Sequence, residues 1–383
     1  MAMKKWCLFF CLLLTGICQA QNKSNKVPNI SVLLPLYLDS AFTAGEYKLG
    51  NGGIPRYILP ALDFYQGMML AIDSLNKEKI ELRVNFHDTK SLNGGTDSLL
   101  TTGTLDTTDL LIALFNNRNE VKPLAGFALD NKIPLLSYTF PNDGGVTNNP
   151  YLVLINPTLR THLEAIFKYL QRNHPVQTIY LYKRKGATED LIRQVLEELN
   201  SKTLAARLKI KVIELADNFT PEDATAALDS TRENLVICGS LQDEFAFNLT
   251  RTLGAAKSYR HTIIGMPTWE AGRDLSQYAE IMYTTHFQTQ RSEKAARAIA
   301  AGYQKKMAGR ANDMVYKGFE AMYRFGKLLV RFPDEFLQQL SNKSFNLLND
   351  FDIRNVNNPS DYRENKKIYF VRKSQGSIKS IKE

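Results

Sequence analysis

The chain has 383 residues, 48 Lys and Arg against 39 Asp and Glu, a formal charge of +9 and four cysteines. That length accommodates two domains with separate cores. Its basic residues are spread along the sequence rather than gathered into a footprint, which argues against nucleic-acid binding and leaves an anionic surface, ligand or envelope polymer as a partner.

The first twenty residues pair Lys4 and Lys5 with an apolar run from Trp6 to Leu14 and end in Cys18-Gln19-Ala20, the pattern of a secretory signal cleaved after Ala20. A spanning helix needs roughly 20 apolar residues in a row, about twice this run. Lipidation at Cys18 is the nearer rival, but Ile17 stands where that signal takes Gly, Ala or Ser. Export would lower the formal charge from +9 to +7 and leave Cys238 as the sole cysteine of the four. An internal disulfide and a Cys-rich metal site are then excluded. Cys238 closes the apolar run Leu235-Val-Ile and reads as a small buried hydrophobe; a reactive thiol would need cationic neighbours.

After a polar spacer, Ile30 to Leu36 reads as a buried strand, and a Gly- and Pro-rich loop follows through Pro60. Leu62, Tyr65, Met69, Ile72 and Leu75 then form one stripe of a helix. Glu81 to His87 alternates as a strand, Leu110 to Phe115 and Ile133 to Tyr138 are continuous apolar strands, and Val121 to Asn131 is helical between them. This β-α-β-α series predicts a parallel sheet. It restarts after Pro157 with helices at His162–Arg172, Glu189–Leu199, Pro221–Leu228 and Glu244–Leu253, and strands at Thr178–Tyr182, Leu208–Leu215, Asn234–Cys238 and Thr262–Met266. A strand-like Glu280–Phe287, a long helical region from Ser292 to Val330 and a β-rich end around Lys367 to Arg372 complete the chain. Both sheets should bind ligands at the carboxyl ends of their strands.

Several strand ends carry candidate ligand contacts, each with a plainer reading beside it. Asn116, Asn117 and Arg118 follow an apolar strand and precede a helix, so their amides and backbone N–H groups could hold a carboxylate, or merely cap the helix. Tyr37, Asp39 and Ser40 follow the first strand, and Asp39 could receive a ligand ammonium or serve a turn. Lys183-Arg184-Lys185 is the sharpest basic run, a solvated loop or a ligand contact. The five histidines have no His-x-x-x-His or His-Glu-x-x-His spacing, and no nucleophile elbow, phosphate loop or dinucleotide fingerprint occurs, so no metal, cofactor or catalytic residue is expected. The pairs Gly52-Gly53, Gly94-Gly95 and Gly144-Gly145 read as turns.

The segment order resembles the type I periplasmic solute-binding proteins, particularly the leucine/isoleucine/valine-binding group of ABC transporters. The resemblance rests on Ser31-Val-Leu-Leu-Pro-Leu, on Tyr65-Gln-Gly-Met-Met-Leu-Ala-Ile-Asp-Ser-Leu-Asn and on Val84-Asn-Phe-His-Asp. Lys132-Ile-Pro-Leu-Leu-Ser, Asn149-Pro-Tyr, Ile179-Tyr-Leu-Tyr, Val315-Tyr-Lys-Gly-Phe-Glu-Ala and Glu364-Asn-Lys-Lys-Ile-Tyr-Phe-Val extend it over nearly all of the exported chain. It implies an α/β fold of two Rossmann-like lobes with parallel sheets, joined by three crossovers near Asn156, near Thr285 and after Phe332. The first lobe would take residues 27–156 plus 287–331 and the second 157–286 plus 332–383. Ligand would close the lobes by a hinge motion. Ser137, Tyr138 and Thr139 map to the family's second ligand loop, while Tyr182, Lys183, Ser240 and Trp269 correspond to cleft-facing positions of the second lobe. The family's small Ser/Thr/Gly ligands are replaced here by the Asn/Arg-rich loop at 116–119. The resemblance implies a periplasmic, non-enzymatic protein that captures a small polar ligand, such as an amino acid, for an ABC permease. The alternative is an envelope module of the same fold that regulates a cell-wall enzyme without a transported ligand.

Overall fold

The structure, a computed structural model, describes residues 26–381 apart from 51–52, 93 and 289–292. The expected signal and Cys18 lie outside the described residues. The early strands are β1 (Asn29–Leu34), a short hairpin β2 (Phe42–Thr43) and β3 (Glu46–Tyr47), β4 (Arg83–Asp88), β5 (Leu110–Ala113), β6 (Leu135–Ser137) and β7 (Leu152–Leu154). β8 (Thr178–Lys183), β9 (Lys209–Glu214), β10 (Glu233–Cys238), β11 (Arg260–Ile264) and β12 (Ile281–Thr285) follow. The chain closes with β13 (Ile353–Asn355), β14 (Arg363–Asn365), β15 (Tyr369–Ser374) and β16 (Ser377–Ile381).

Two sheets of seven strands form two α/β lobes, ordered β13-β14-β7-β6-β5-β1-β4 and β16-β15-β12-β11-β10-β8-β9. Pairing is parallel from β4 to β14 in the first and from β9 to β12 in the second; β13, β15 and β16 add antiparallel edges. The central strands are apolar on both faces because helices cover both faces: Leu110 to Ala113 is wholly buried.

The helices that matter for the site are α1 (Leu59–Lys77), α2 (Val121–Asp130), α3 (Leu159–Asn173), α4 (Ala187–Lys202), α5 (Asp243–Ala255), α6 (Glu293–Met307) and α7 (Asp313–Arg331). In α1 the fully buried face runs Phe64, Met68, Ala71 and Leu75, not through Leu62 and Met69, because the helix is wedged between sheet and α7. Gly67 and Gly318 mark that crossing, each lying against the other helix's backbone. The expected single helical region after Ser292 is two helices. Ala308 adopts a left-handed backbone, and Asn312 then accepts from Met314 N and Val315 N to cap α7 afresh.

Three crossovers join the lobes, and each leaves a strand at its carboxyl end. The chain leaves the carboxyl end of β7 and enters α3, whose N-terminus lies at the carboxyl side of the second sheet. It returns from the carboxyl end of β12 toward α6, and passes from β14 to β15 at Lys366–Ile368. The third crossing therefore falls later than expected after Phe332. Residues 336–365 belong to the first lobe, since Phe336, Leu340, Leu348, Phe351 and Ile353 bury in its core and β13 and β14 extend its sheet. Arg324, fully buried, ties this strap to α7 by donating to Leu340 O and Asn342 O at 2.8 and 2.9 Å.

The crossovers are held by polar networks. Glu364, buried, accepts from Thr158 N and Oγ1, Thr161 Oγ1 and Lys366 Nζ at 2.6–2.9 Å. Gln288 N donates to Asn349 Oδ1 at 2.7 Å, and Asn349 N donates to buried Glu320. His162 and His286 are buried beside the first two crossovers, with His162 Nδ1 2.9 Å from Thr284 Oγ1. Burial lowers the His162 pKa from 6.5 to about 3 and that of His286 well below 6.5, where Lys317 and then His162 add to the effect. The unfolded chain therefore takes up protons below about pH 6.5 that the folded chain refuses. Stability should fall on acidification from neutrality to pH 5.5 by about 1.2 kcal/mol through His162, with His286 acting in the same direction. Urea unfolding at the two pH values measures this; a His162→Asn variant with an undiminished acid loss would remove His162 from the account.

Candidate functional site

Because every crossover leaves a strand at its carboxyl end, and the third enters antiparallel β15 at the carboxyl edge of the second sheet, the carboxyl edges of the two sheets face a common cleft, where open parallel sheets place their ligands. On the first lobe Asp88, at the end of β4, accepts Leu36 N, Tyr37 N, Leu38 N and Lys90 N at 2.8–3.1 Å. This clamp holds Tyr37 at a φ of 52°, a left-handed conformation uncommon for a non-glycine residue. Tyr37 OH then accepts Asn116 Nδ2 at 2.9 Å, and its ring meets Tyr57 edge to face at 5.0 Å. Glu120 binds Asn116 N, Asn117 Nδ2 and Lys90 Nζ. Arg118 is exposed and runs along the turn at Gly144 and Gly145, where a Cβ on Gly145 would lie 2.8 Å from its Nη2. Asp39 accepts Leu92 N at 2.7 Å and Ser91 Oγ at 2.9 Å, which hold its carboxyl below the usual range.

The second rim is paired within itself. Lys183, 3% exposed, reaches Glu214 at 2.5 Å and Asp190 at 3.1 Å. Burial opposes its charge, yet these partners outweigh burial and raise its pKa. Arg184 donates two bonds to Asp217 at 2.6 and 2.7 Å, and Ser240 Oγ donates to Glu189 at 2.6 Å. Glu270 accepts from Thr285 Oγ1 at 2.7 Å.

The structure thus brings Tyr37, Asp39, Asn116, Asn117 and Arg118 together at one rim. It does not leave the other expected contacts in the cleft. Tyr138 packs against Phe64 and Phe325 in the first core, at 2% exposure. Tyr182 is fully buried with its hydroxyl donating to Ala224 O at 2.7 Å. Trp269 is 4% exposed and covers Gly265. Lys183 and Ser240 are held by partners in their own lobe. Ser137 is buried with no partner for its hydroxyl, while Thr139 is half-buried and gives its carbonyl to Asn156 Nδ2 at 2.6 Å. Strand alternation accounts for two of these, since Tyr138 shares the face of Leu136, and Tyr182 that of Tyr180, and both faces are core. Tyr57 carries no sequence signal of its own and Asp88 only its place at a strand end, because their partners at 36–38 lie 20 or more residues away, whereas Glu120 pairs mostly within its own loop. Cys238 is buried, and burial raises its thiol to about 12, so it is a packing residue.

Among the described residues no three His, Cys, Asp or Glu side chains gather as a metal site, and no helix is long and apolar enough to cross a membrane. No family model matches the sequence, and no curated protein matches it. Solved structures match over nearly the whole chain. An ABC transporter substrate-binding protein from Desulfitobacterium hafniense superposes with a TM-score of 0.62 at 11% identity, covering 93% of this chain and 100% of its own. The fold is that of the type I periplasmic binding proteins. A branched-chain amino acid ABC transporter periplasmic ligand-binding protein from Burkholderia xenovorans shares this fold at TM-score 0.61 and 14% identity, over 93% and 94% of the two chains. So does a branched-chain amino acid transporter substrate binding protein from Streptococcus pneumoniae in complex with isoleucine, at TM-score 0.53 and 14% identity, over 94% and 100%.

Proposed function

We propose that the chain is an exported, non-enzymatic binding protein that closes its two lobes on a small polar ligand and delivers it to a membrane transporter. The carrying observation is the set of three crossovers, each leaving a strand at its carboxyl end, an arrangement that supports a cleft lined by the rims of both lobes. Short connections held by Glu364, Asn349 and Gln288 suit a hinge, since rotation there moves rigid lobes without breaking either core. The amino-acid ligands named for the solved neighbours support small-molecule capture by this fold. The Lys4-Lys5 and Trp6–Leu14 pattern supports export to the periplasm, with cleavage after Ala20 favoured over an anchor at Cys18. Small-angle scattering with candidate ligands tests the reading: a bound ligand should compact the chain, and absence of both binding and compaction across amino acids, peptides and cell-wall fragments would sink it.

A second reading has its own support. The polar side chains of the second rim are bonded to one another, as at Lys183–Glu214 and Ser240–Glu189, which suits a surface that docks a cell-wall enzyme rather than one awaiting a small ligand. Pull-down of such an enzyme with a ligand-indifferent cleft would favour it.

A further inference from the structure

We infer that the ligand of this cleft is a saccharide bearing a carboxylate, seated against Tyr57 and Arg118 of the first lobe, rather than an amino acid. The inference rests on the capture reading above and concerns which molecule is captured.

An amino acid brings an ammonium group, which needs a carboxylate to pair with it. The carboxylates at these strand ends already hold internal donors. Asp88 takes four backbone N–H groups, Glu120 takes Asn116, Asn117 and Lys90, and Asp39 clamps the loop at Ser91 and Leu92. Across the cleft Asp217 is bonded by Arg184, Glu214 by Lys183 and Glu189 by Ser240.

What the first rim offers instead is aromatic surface, amides and a guanidinium. Tyr57 is 55% exposed, although its ring is fixed against Tyr37. A fixed ring loses little entropy when the apolar face of a sugar settles on it. Asn116 uses its Nδ2 on Tyr37 and keeps Oδ1 open to a hydroxyl, and the side-chain amide of Asn119 is open as well. Arg118 stands exposed on the same loop with no acidic partner among the described residues, and its fork matches a carboxylate in two bonds. Ring contact and a hydrogen bond link Tyr57 to Tyr37 and Tyr37 to Asn116, and Arg118 follows two residues on in the same loop, its guanidinium beside Gly145. Stacking surface, hydroxyl-binding amides and one cationic fork, beside acids that among the described residues already hold internal donors, select an acidic sugar over a zwitterion.

The test is calorimetric titration of the purified chain with digalacturonate, glucuronate, N-acetylmuramate and, for contrast, leucine, each paired with scattering. At least one acidic saccharide should bind with a dissociation constant below about 1 mM, compact the chain, and bind about tenfold more weakly to Tyr57→Ala and to Arg118→Gln. Both side chains are exposed, so melting temperatures should stay unchanged and report intact folding. Compaction by leucine with no response to the saccharides overturns the inference and leaves capture standing. Saccharide binding undiminished in both variants overturns the assigned seat. No binding and no compaction by any probe overturns this inference and the capture reading together.

Discussion

Alanine at Gly67 or at Gly318 should each destabilise the protein by about 3 kcal/mol, the upper range for overpacking a core. The two residues are reciprocal. A Cβ on Gly67 would overlap the Val315 carbonyl oxygen and lie 2.9 Å from Phe319 N, while a Cβ on Gly318 would overlap the Phe64 carbonyl and lie 2.8 Å from Phe64 C. The obstacles are backbone atoms of a neighbouring helix, so no side-chain rotation relieves them. The helices must separate, and separation opens the contacts of Phe64, Met68, Met322 and Phe325 in the largest core cluster of the first lobe. Gly126 is the control: it lies within α2, and a Cβ there meets nothing within 4 Å. Alanine at Gly126 should stabilise by about 0.4–1 kcal/mol through the unfolded chain. Urea unfolding of the three variants checks the set, and a loss under about 1 kcal/mol at both Gly67 and Gly318 would show that the helices do not cross in backbone contact.

Replacing Glu364 with alanine should cost about 3 kcal/mol and loosen the hinge. The carboxylate is 1% exposed and gathers donors from two crossovers: Thr158 and Thr161 on the first, Lys366 on the third. Its removal leaves Thr158 N without its acceptor and the Lys366 ammonium with Thr161 Oγ1 alone, and half-buried donors left unmet cost more than the bonds themselves contribute. The exposed pair of Arg354 and Asp352 on the nearby β13 segment offers a comparison, since such surface pairs contribute about 0–1 kcal/mol. Unfolding measurements read the stability loss. Scattering on the variant should show a wider spread of lobe separations at equal temperature. A Glu364→Ala chain no less stable than an Asp352→Ala chain would contradict the network.

The strand-helix alternation of both lobes was legible because buried parallel strands such as Leu110–Ala113 and Leu235–Cys238 are written as unbroken apolar runs. The boundary of the lobes was not. The strap from Phe336 to Asn365 has two strands of three residues each and no sustained periodicity, so its side of the molecule is decided by Arg324 and by where five apolar side chains find a core. For the candidate site, the chain order implies that Asn116, Asn117 and Arg118 stand at a strand end, and they do. The resemblance places Tyr138, Tyr182 and Trp269 at the cleft because they close or follow strands, yet alternation turns both tyrosines into the cores.

By itself the sequence determined the signal-like start, the two parallel α/β units and the order in which they follow, since these depend on local hydrophobic pattern. Tertiary structure alone decided which polar groups remain open at the cleft. Lys183 and Glu214 stand 31 residues apart and Thr158 and Glu364 stand 206 apart, and pairing over such separations follows from how the sheets assemble, not from neighbouring residues. The physical reason is that a charged side chain takes the partner that folding places within bonding distance, and only the assembled rims show that the acids are occupied while Tyr57 and Arg118 face the solvent.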